Sequence, residues 1–197
     1  MKNVLGVLVV LVLLCLGFIG SRPSRMHVER SATMTAPSDV VFAQLDNFHH
    51  WAQWSPWEKL DPQMKTTFSG PDSGLGAIYE WSGNDKVGQG RMTITESTPS
   101  SKVAMKLEFL KPFQDVNTTT FTLDPAGPET KVTWAMDGTN SFMEKAVGLF
   151  MNMDKTIGGD FERGLGTLKT VAEAQAQSAA ADSIRNAVAP PTRVLVQ

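Results

Sequence analysis

The sequence predicts an α+β fold in which one antiparallel sheet of seven strands packs against a long C-terminal helix. Between Met64 and Asp137 apolar residues alternate with polar ones, which is typical of strands with one buried face. Short breaks rich in Gly, Pro, Asn and Asp separate these strands, so the connections are hairpins rather than the long crossovers of a parallel sheet. After Ser141 the apolar spacing changes to three, four and seven, which predicts a helix.

The first predicted strand, Met26 to Thr35, precedes two short helices. Pro37 is suited to the first turn of the first helix, and Asp39 lies near its positive end. The second helix falls in the run Phe48 to Trp57, which contains three tryptophans. So many tryptophans predict packing under the sheet edge or around the mouth of a cavity.

Six further strands are predicted, and each has one apolar face. The apolar face of such a sheet must be buried against another element, and the C-terminal helix is the only predicted element large enough to bury it. The strands are Met64 to Ser69, Gly76 to Ser82, Gly88 to Glu96, Lys102 to Leu110, Val116 to Leu123 and Lys131 to Asp137.

The long helix is predicted from Ser141 to about Ala174. Ser141 followed by Glu144 is the signature of a capping box at its start. Gly158 and Gly159 interrupt the pattern, because each costs about 1 kcal/mol relative to Ala inside a helix. They indicate a bend, a close backbone approach or two helices in succession.

The 197 residues divide into a folded domain at 26–175 and two extensions. Residues 176–197 are predicted to be a frayed helix and a disordered tail, because the apolar stripe ends and Pro190 and Pro191 block a helix. Residues 1–25 contain Val4 to Gly20, a run of 17 residues without a charge. We predict a single-pass membrane anchor there, on an undetermined side; the alternative is a cleaved signal peptide and a secreted or periplasmic domain.

Composition excludes several kinds of site. The net charge of -2 and the pI of about 5.9 show no basic patch for nucleic acid. Cys15, the only cysteine, lies in the apolar N-terminal run, so the domain has no disulfide or thiolate metal site. The adjacent His49 and His50 would point about 100° apart on a helix and could not easily share one ion. We therefore predict no metal and no cofactor.

No catalytic residue is assigned. No Ser lies in a G-x-S-x-G elbow, and no two of the polar groups that could face a cavity have a spacing that demands catalysis. Three residues are candidate polar groups in a cavity: Arg30, Tyr79 and Glu80. Arg30 falls on the apolar face of its strand, where it is either a polar anchor in a pocket or a sheet-edge residue with its head group in water.

Several motifs resemble one protein family. They are AP at Ala36, VF at Val41, FHHWAQWSPWEKLDP from Phe48, YEWSGND from Tyr79, GQGRMTITE from Gly88, LEFLKPF from Leu107, TKVTWAMDG from Thr130 and FMNMDKTIGGDFERGLGTLK from Phe150. With the order of elements, they make Met26 to Ala174 similar to the START/Bet v 1-like superfamily. Within it the chain most resembles SRPBCC proteins of the polyketide cyclase/dehydrase and lipid transport type. The resemblance implies a helix-grip fold, with a curved sheet around the long helix and an apolar cavity between them.

The first hypothesis for function is a membrane-tethered module that binds or transports an apolar, lipid-like molecule in this cavity. A second is an enzyme of the cyclase/dehydratase kind, using Arg30, Tyr79 or Glu80. A third is a protein-interaction domain with a filled core and a tryptophan-rich contact surface. The predicted cavity lining is Trp81, Met92, Met105, Leu107, Phe109, Phe121, Trp134, Met136, Phe150, Met153, Ile157 and Phe161.

Overall fold

The computed structural model describes residues 2–150 and 152–188, and it confirms the predicted fold class. Seven antiparallel strands form one sheet in the order β1-β7-β6-β5-β4-β3-β2, so the first strand pairs with the last. The strands are β1 Arg25–Met34, β2 Lys65–Ser69, β3 Ile78–Ser82, β4 Gln89–Thr98, β5 Lys102–Lys111, β6 Asp115–Ala126 and β7 Glu129–Thr139. The helices are α1 Lys2–Ser21, α2 Ser38–Leu45, a 3-10 helix Phe48–Gln53, α3 Phe142–Val147 and α4 Met153–Val188.

The main core lies between α4 and the sheet. Phe161, Leu165, Leu168 and Ala172 are buried at spacings of three and four, as the helical pattern predicts. They belong to the same buried cluster as Val132 and other residues of the concave sheet face. The two short helices after β1 close one side of this cluster, so the helix-grip arrangement is complete.

The predicted long helix is divided in two. Ser141 and Glu144 do form the predicted capping box, but the helix that they begin ends at Val147. The next helix, α4, starts at Met153. Gly158 lies inside α4, where the guanidinium group of Arg30 occupies the space that a side chain would need. The close-approach interpretation of Gly158 is therefore confirmed, whereas the interruption of the helix lies before the two glycines, between Val147 and Met153.

The first part of the C-terminal extension is helical. Helix α4 continues to Val188, well beyond the last buried apolar residue of its stripe. Alanines are frequent in this stretch, and Ala has the highest helix propensity of all residues. Residues 189–197, which include the two prolines, lie outside the described residues.

The predicted membrane anchor is wrong. In the part of the chain that the structure describes, no helix is both long and apolar enough to cross a membrane. The uncharged run in α1 has 17 residues. At 1.5 Å per residue it would extend about 26 Å, less than the roughly 30 Å of a hydrocarbon core. A single-pass membrane anchor in that run is therefore not supported.

Candidate ligand cavity

A cavity of about 400 Å³ lies between the concave face of the sheet and the N-terminal part of α4. Small-molecule sites in proteins have volumes of about 300–1,000 Å³, so one compact ligand would fit. Four lining residues lie in one row across the sheet, because Tyr79 pairs with Met92, Met92 with Leu107, and Leu107 with Asn117. The apolar part of the wall also includes Trp51, Trp57, Met64, Trp81, Phe109, Met136 and Ile157.

Aromatic packing closes the cavity on its inner side. The ring of Trp134 stacks on Phe161 of α4 with a centroid distance of 4.1 Å and an interplanar angle of 8°. Trp54 and Trp57 meet Trp134 edge to face at 5.8 and 5.7 Å. Phe121 lies 4.7 Å from the same ring. This cluster fills one end of the space under α4, so the unfilled volume is confined to the other end.

Nine of the twelve apolar residues predicted to bind a ligand line this cavity, although their role in binding stays a prediction. They are Trp81, Met92, Leu107, Phe109, Trp134, Met136, Met153, Ile157 and Phe161. The side chains of Met105 and Phe121 instead lie in the packed core, fully buried. They share the dry sheet face with the lining residues but lie at its filled end. Phe150, between α3 and α4, is 90% exposed and does not line the cavity.

The three polar candidates lie in different places, and only Tyr79 lines the cavity. Glu80 points to the outer face of the sheet, where it pairs with Arg91 at 2.9 Å. Arg30 also lies outside the cavity and binds α4. Its Nε donates to Glu162 at 2.8 Å, and its Nη2 donates to the carboxylate and the backbone carbonyl of Asp154, both at 3.1 Å.

Tyr79 contributes a hydrogen-bonding group to the cavity wall. Its hydroxyl donates to Oε1 of Glu58 at 2.7 Å, and Glu58 also lines the cavity. Burial raises the pKa of Tyr79, and the bond to Glu58 raises that pKa further. The hydroxyl therefore stays protonated, so it acts as a donor rather than as a base.

Strand β6 carries a stripe of polar residues that the predicted cavity lining does not include. Asp115, Asn117 and Thr119 line the cavity, and they alternate with exposed residues on the other face. The amide Nδ2 of Asn117 donates to Asp115 at 2.6 Å. Oδ1 of Asn117 lies against Gly138, where a Cβ atom would overlap it. Every second residue of a strand lies on the same face, so the assignment of Phe121 to the cavity face also assigns these three residues to it.

The contacts of Arg30 predict a pH dependence of stability. The hydrogen bond from Arg30 lowers the pKa of Asp154, and the charge of Arg30 adds to this effect. A carboxyl group with a lowered pKa in the folded state stabilises the fold above its unfolded pKa, and that contribution is lost as the pH falls through the folded value. We expect the unfolding free energy of the wild type to fall more between pH 5 and pH 2 than that of Asp154→Asn, measured by urea titration.

Asp182→Asn is the matched control for this experiment. Asp182 also lies in α4 and contacts an arginine, Arg185, but at 3.4 Å and on an exposed part of the helix. Its variant should keep the pH dependence of the wild type. An identical pH dependence for Asp154→Asn and the wild type would contradict the proposed contribution of the Arg30 contact.

Comparison with known proteins identifies the family. The family model for polyketide cyclase / dehydrase and lipid transport proteins matches residues 25–173. The chain belongs to this family. The match spans every strand, α2, the 3-10 helix, α3 and the part of α4 that packs on the sheet. No protein with a curated function matches the chain significantly.

Solved structures share the fold at low sequence identity. A protein from Chromobacterium violaceum is 15% identical with a TM-score of 0.54, and the match covers 77% of this chain and 99% of that one. Ara h 8.0201 is 11% identical with a TM-score of 0.52, covering 78% of this chain and 99% of that one. The di-domain ARO/CYC StfQ of the steffimycin biosynthetic pathway is 12% identical with a TM-score of 0.55, covering 80% and 52%. At these identities the likeness shows the fold alone.

Proposed function

We propose that this protein binds or transports an apolar, lipid-like small molecule held between the sheet and α4. The observation that carries the proposal is the cavity of about 400 Å³ under α4. Protein interiors are packed at crystal-like density, so an unfilled volume of this size calls for an explanation. Because its wall is mainly aromatic and aliphatic, filling it with an apolar ligand would be favourable.

Native mass spectrometry tests this proposal directly. The full chain is purified without detergent from the cell that produces it, and the same sample is extracted for lipids. The expected result is a co-purifying apolar molecule in a one-to-one complex. An empty protein that also fails to take up fatty acids or hydrophobic dyes would refute the proposal.

A cavity-filling variant gives a second test. Leu107 lines the cavity, so Leu107→Trp should place an indole in the ligand volume and lower affinity for a hydrophobic dye at least about tenfold, the equivalent of 1.4 kcal/mol. Leu110→Trp is the matched control, because Leu110 lies on the same strand but is exposed and does not line the cavity. Affinity is measured by dye fluorescence. Equal affinities for the two variants would place the binding site elsewhere.

A cyclase or dehydratase activity is the second candidate, and the Tyr79–Glu58 pair is the observation that favours it. Enzymes of this kind need an ionisable group inside the cavity, and this pair supplies a carboxylate and a protonated hydroxyl. The same mass spectrometry separates the two functions. A carrier releases its ligand unchanged, a dehydratase releases a molecule lighter by one water, and a cyclase releases an isomer of the same mass that chromatography separates from the substrate.

The interaction-domain hypothesis required a filled core and exposed tryptophans. Trp51 and Trp54 are buried, and their indole N–H groups donate to the backbone carbonyls of Leu45 and Gln44. Trp57 is partly buried against Trp134 and Phe161. The tryptophan-rich segment therefore serves the core and the cavity wall, which leaves that hypothesis without support.

A further inference from the structure

Two hydroxyl groups of the cavity wall are open to a ligand. They belong to Ser55 and Thr119, which line the cavity, are only 7% and 4% exposed and make no side-chain hydrogen bond within residues 2–150 and 152–188. In the same part of the chain, the unpartnered polar atoms that are sealed inside the protein belong to Gln44, Asn117 and Trp134. The hydroxyl oxygens of Ser55 and Thr119 are not sealed in this way, so a molecule in the cavity can reach them.

Both hydroxyls lie at the inner end of the cavity, next to the packed aromatic rings. Thr119 is on the same face of β6 as Phe121, two residues away. The ring of Phe121 packs against Trp54 and Trp134, with centroid distances of 6.0 and 4.7 Å. Ser55 directly follows Trp54 in the sequence. Ser55 and Thr119 therefore adjoin the same aromatic cluster.

The two cationic residues of the lining lie at the opposite, open end. Lys86 and Lys111 are both exposed, and Lys86 is in the turn before β4, whose first residue, Gln89, pairs with Lys111. Thr119 pairs with Met105, six residues before Lys111 on β5. At about 3.3 Å per residue, Lys111 is therefore about 20 Å from Thr119. An anionic group at the inner end would lie far from both lysines.

The carboxylates of the lining are already engaged by other groups of the protein. Each accepts a hydrogen bond or forms an ion pair: Glu58 with Tyr79, Asp115 with Asn117, Glu144 with the backbone of Ser141 and Asp160 with Arg163. The inner hydroxyls differ from these carboxylates because they are uncharged and can still both donate and accept.

A ligand that fills the cavity displaces water from these hydroxyls, and a buried hydroxyl left without a partner is unfavourable. We infer, on the basis of the proposed binding function, that the ligand is an apolar molecule with an uncharged oxygen, a hydroxyl or a carbonyl, which lies at the inner end beside Ser55 and Thr119. Its apolar body extends along Leu107 and Phe109 towards the lysine end. The molecule therefore enters with its polar end first.

Four probes of equal chain length test this inference at pH 7: octanol, octan-2-one, chlorooctane and octanoate. Isothermal titration calorimetry on the full chain compares the wild type with the double variant Ser55→Ala/Thr119→Val, which removes both hydroxyls and changes the shape of the wall little. The double variant should bind octanol and octan-2-one at least about tenfold more weakly, because their hydrogen bonds are lost, and chlorooctane within about twofold of the wild type. An effect on octanol alone would identify the ligand oxygen as a hydroxyl.

A comparison that needs no variant is octanoate against octanol in the wild type. Octanoate should bind more weakly, because burying its charge away from the lysines is costly. Octanoate that binds at least as tightly as octanol would overturn the inference, because the polar group would then lie at the lysine end.

Thr118→Val is the matched control, since Thr118 is the neighbour of Thr119 on β6 but is exposed and does not line the cavity. It should bind all four probes as the wild type does. If the double variant loses no more affinity for octanol than for chlorooctane, the inference is wrong and the binding function stands. Absence of binding by all four probes would refute the binding function as well.

Discussion

Replacing Trp134 with Ala should lower the free energy of unfolding by about 3–5 kcal/mol, the range for removing a large buried aromatic side chain. Trp134 is 1% exposed and touches both layers of the fold. It stacks on Phe161 of α4 and lies 4.7 Å from Phe121 of β6. Its loss would leave a void next to an existing cavity. Urea unfolding followed by circular dichroism measures the change.

Two further variants keep this prediction specific. Trp134→Phe should lower the free energy of unfolding by less than Trp134→Ala does, because a phenyl ring can still stack on Phe161. Phe113→Ala should change stability by no more than about 0.5 kcal/mol, because Phe113 is 80% exposed on the loop between β5 and β6. A loss below about 1 kcal/mol in Trp134→Ala would show that the helix and sheet are held together by other contacts.

The fold could be predicted because its signal is periodic. Alternation along the strands and the three-and-four spacing of Phe161, Leu165 and Leu168 are local properties of the sequence. The break between α3 and α4 could not be found in this way. Leu149 and Phe150 continue the apolar spacing, yet Phe150 is in solvent. Periodicity shows which residues share a face, but it does not show whether a partner covers that face.

The cavity was predictable in outline and not in its polar details. The alternation of residues along each strand identified which apolar residues face α4. It does not show which of them pack in the core and which line the cavity, and Met105 and Phe121 are two that pack in the core. The polar stripe of β6 was missed because a dry face was assumed to be apolar. Arg30 was assigned to the correct strand face, but its partners Asp154 and Glu162 lie more than 120 residues away in sequence.

Replacing either of two glycines of α4 with alanine should change the stability of the protein, in opposite directions at the two positions. Inside a helix, Gly→Ala usually stabilises by about 1 kcal/mol. Gly166 is exposed, and a Cβ there would meet nothing within 4 Å, so Gly166→Ala should give that gain. Gly164 is buried against the sheet, and a Cβ there would lie 2.8 Å from the Trp134 ring and 3.1 Å from Pro56. Overpacking of this kind costs about 1–3 kcal/mol.

We therefore expect Gly164→Ala to be less stable than Gly166→Ala by about 1–3 kcal/mol in urea unfolding, because the gain in helix propensity is equal in both and only the contact with the sheet differs. Because Gly164 sets how closely α4 approaches Trp134, its variant should also widen the gap between helix and sheet. Dye binding would then change in Gly164→Ala and stay as in the wild type in Gly166→Ala. Equal stabilisation by both substitutions would mean that Trp134 can move aside freely, which its packing against Phe161, Trp54 and Trp57 argues against.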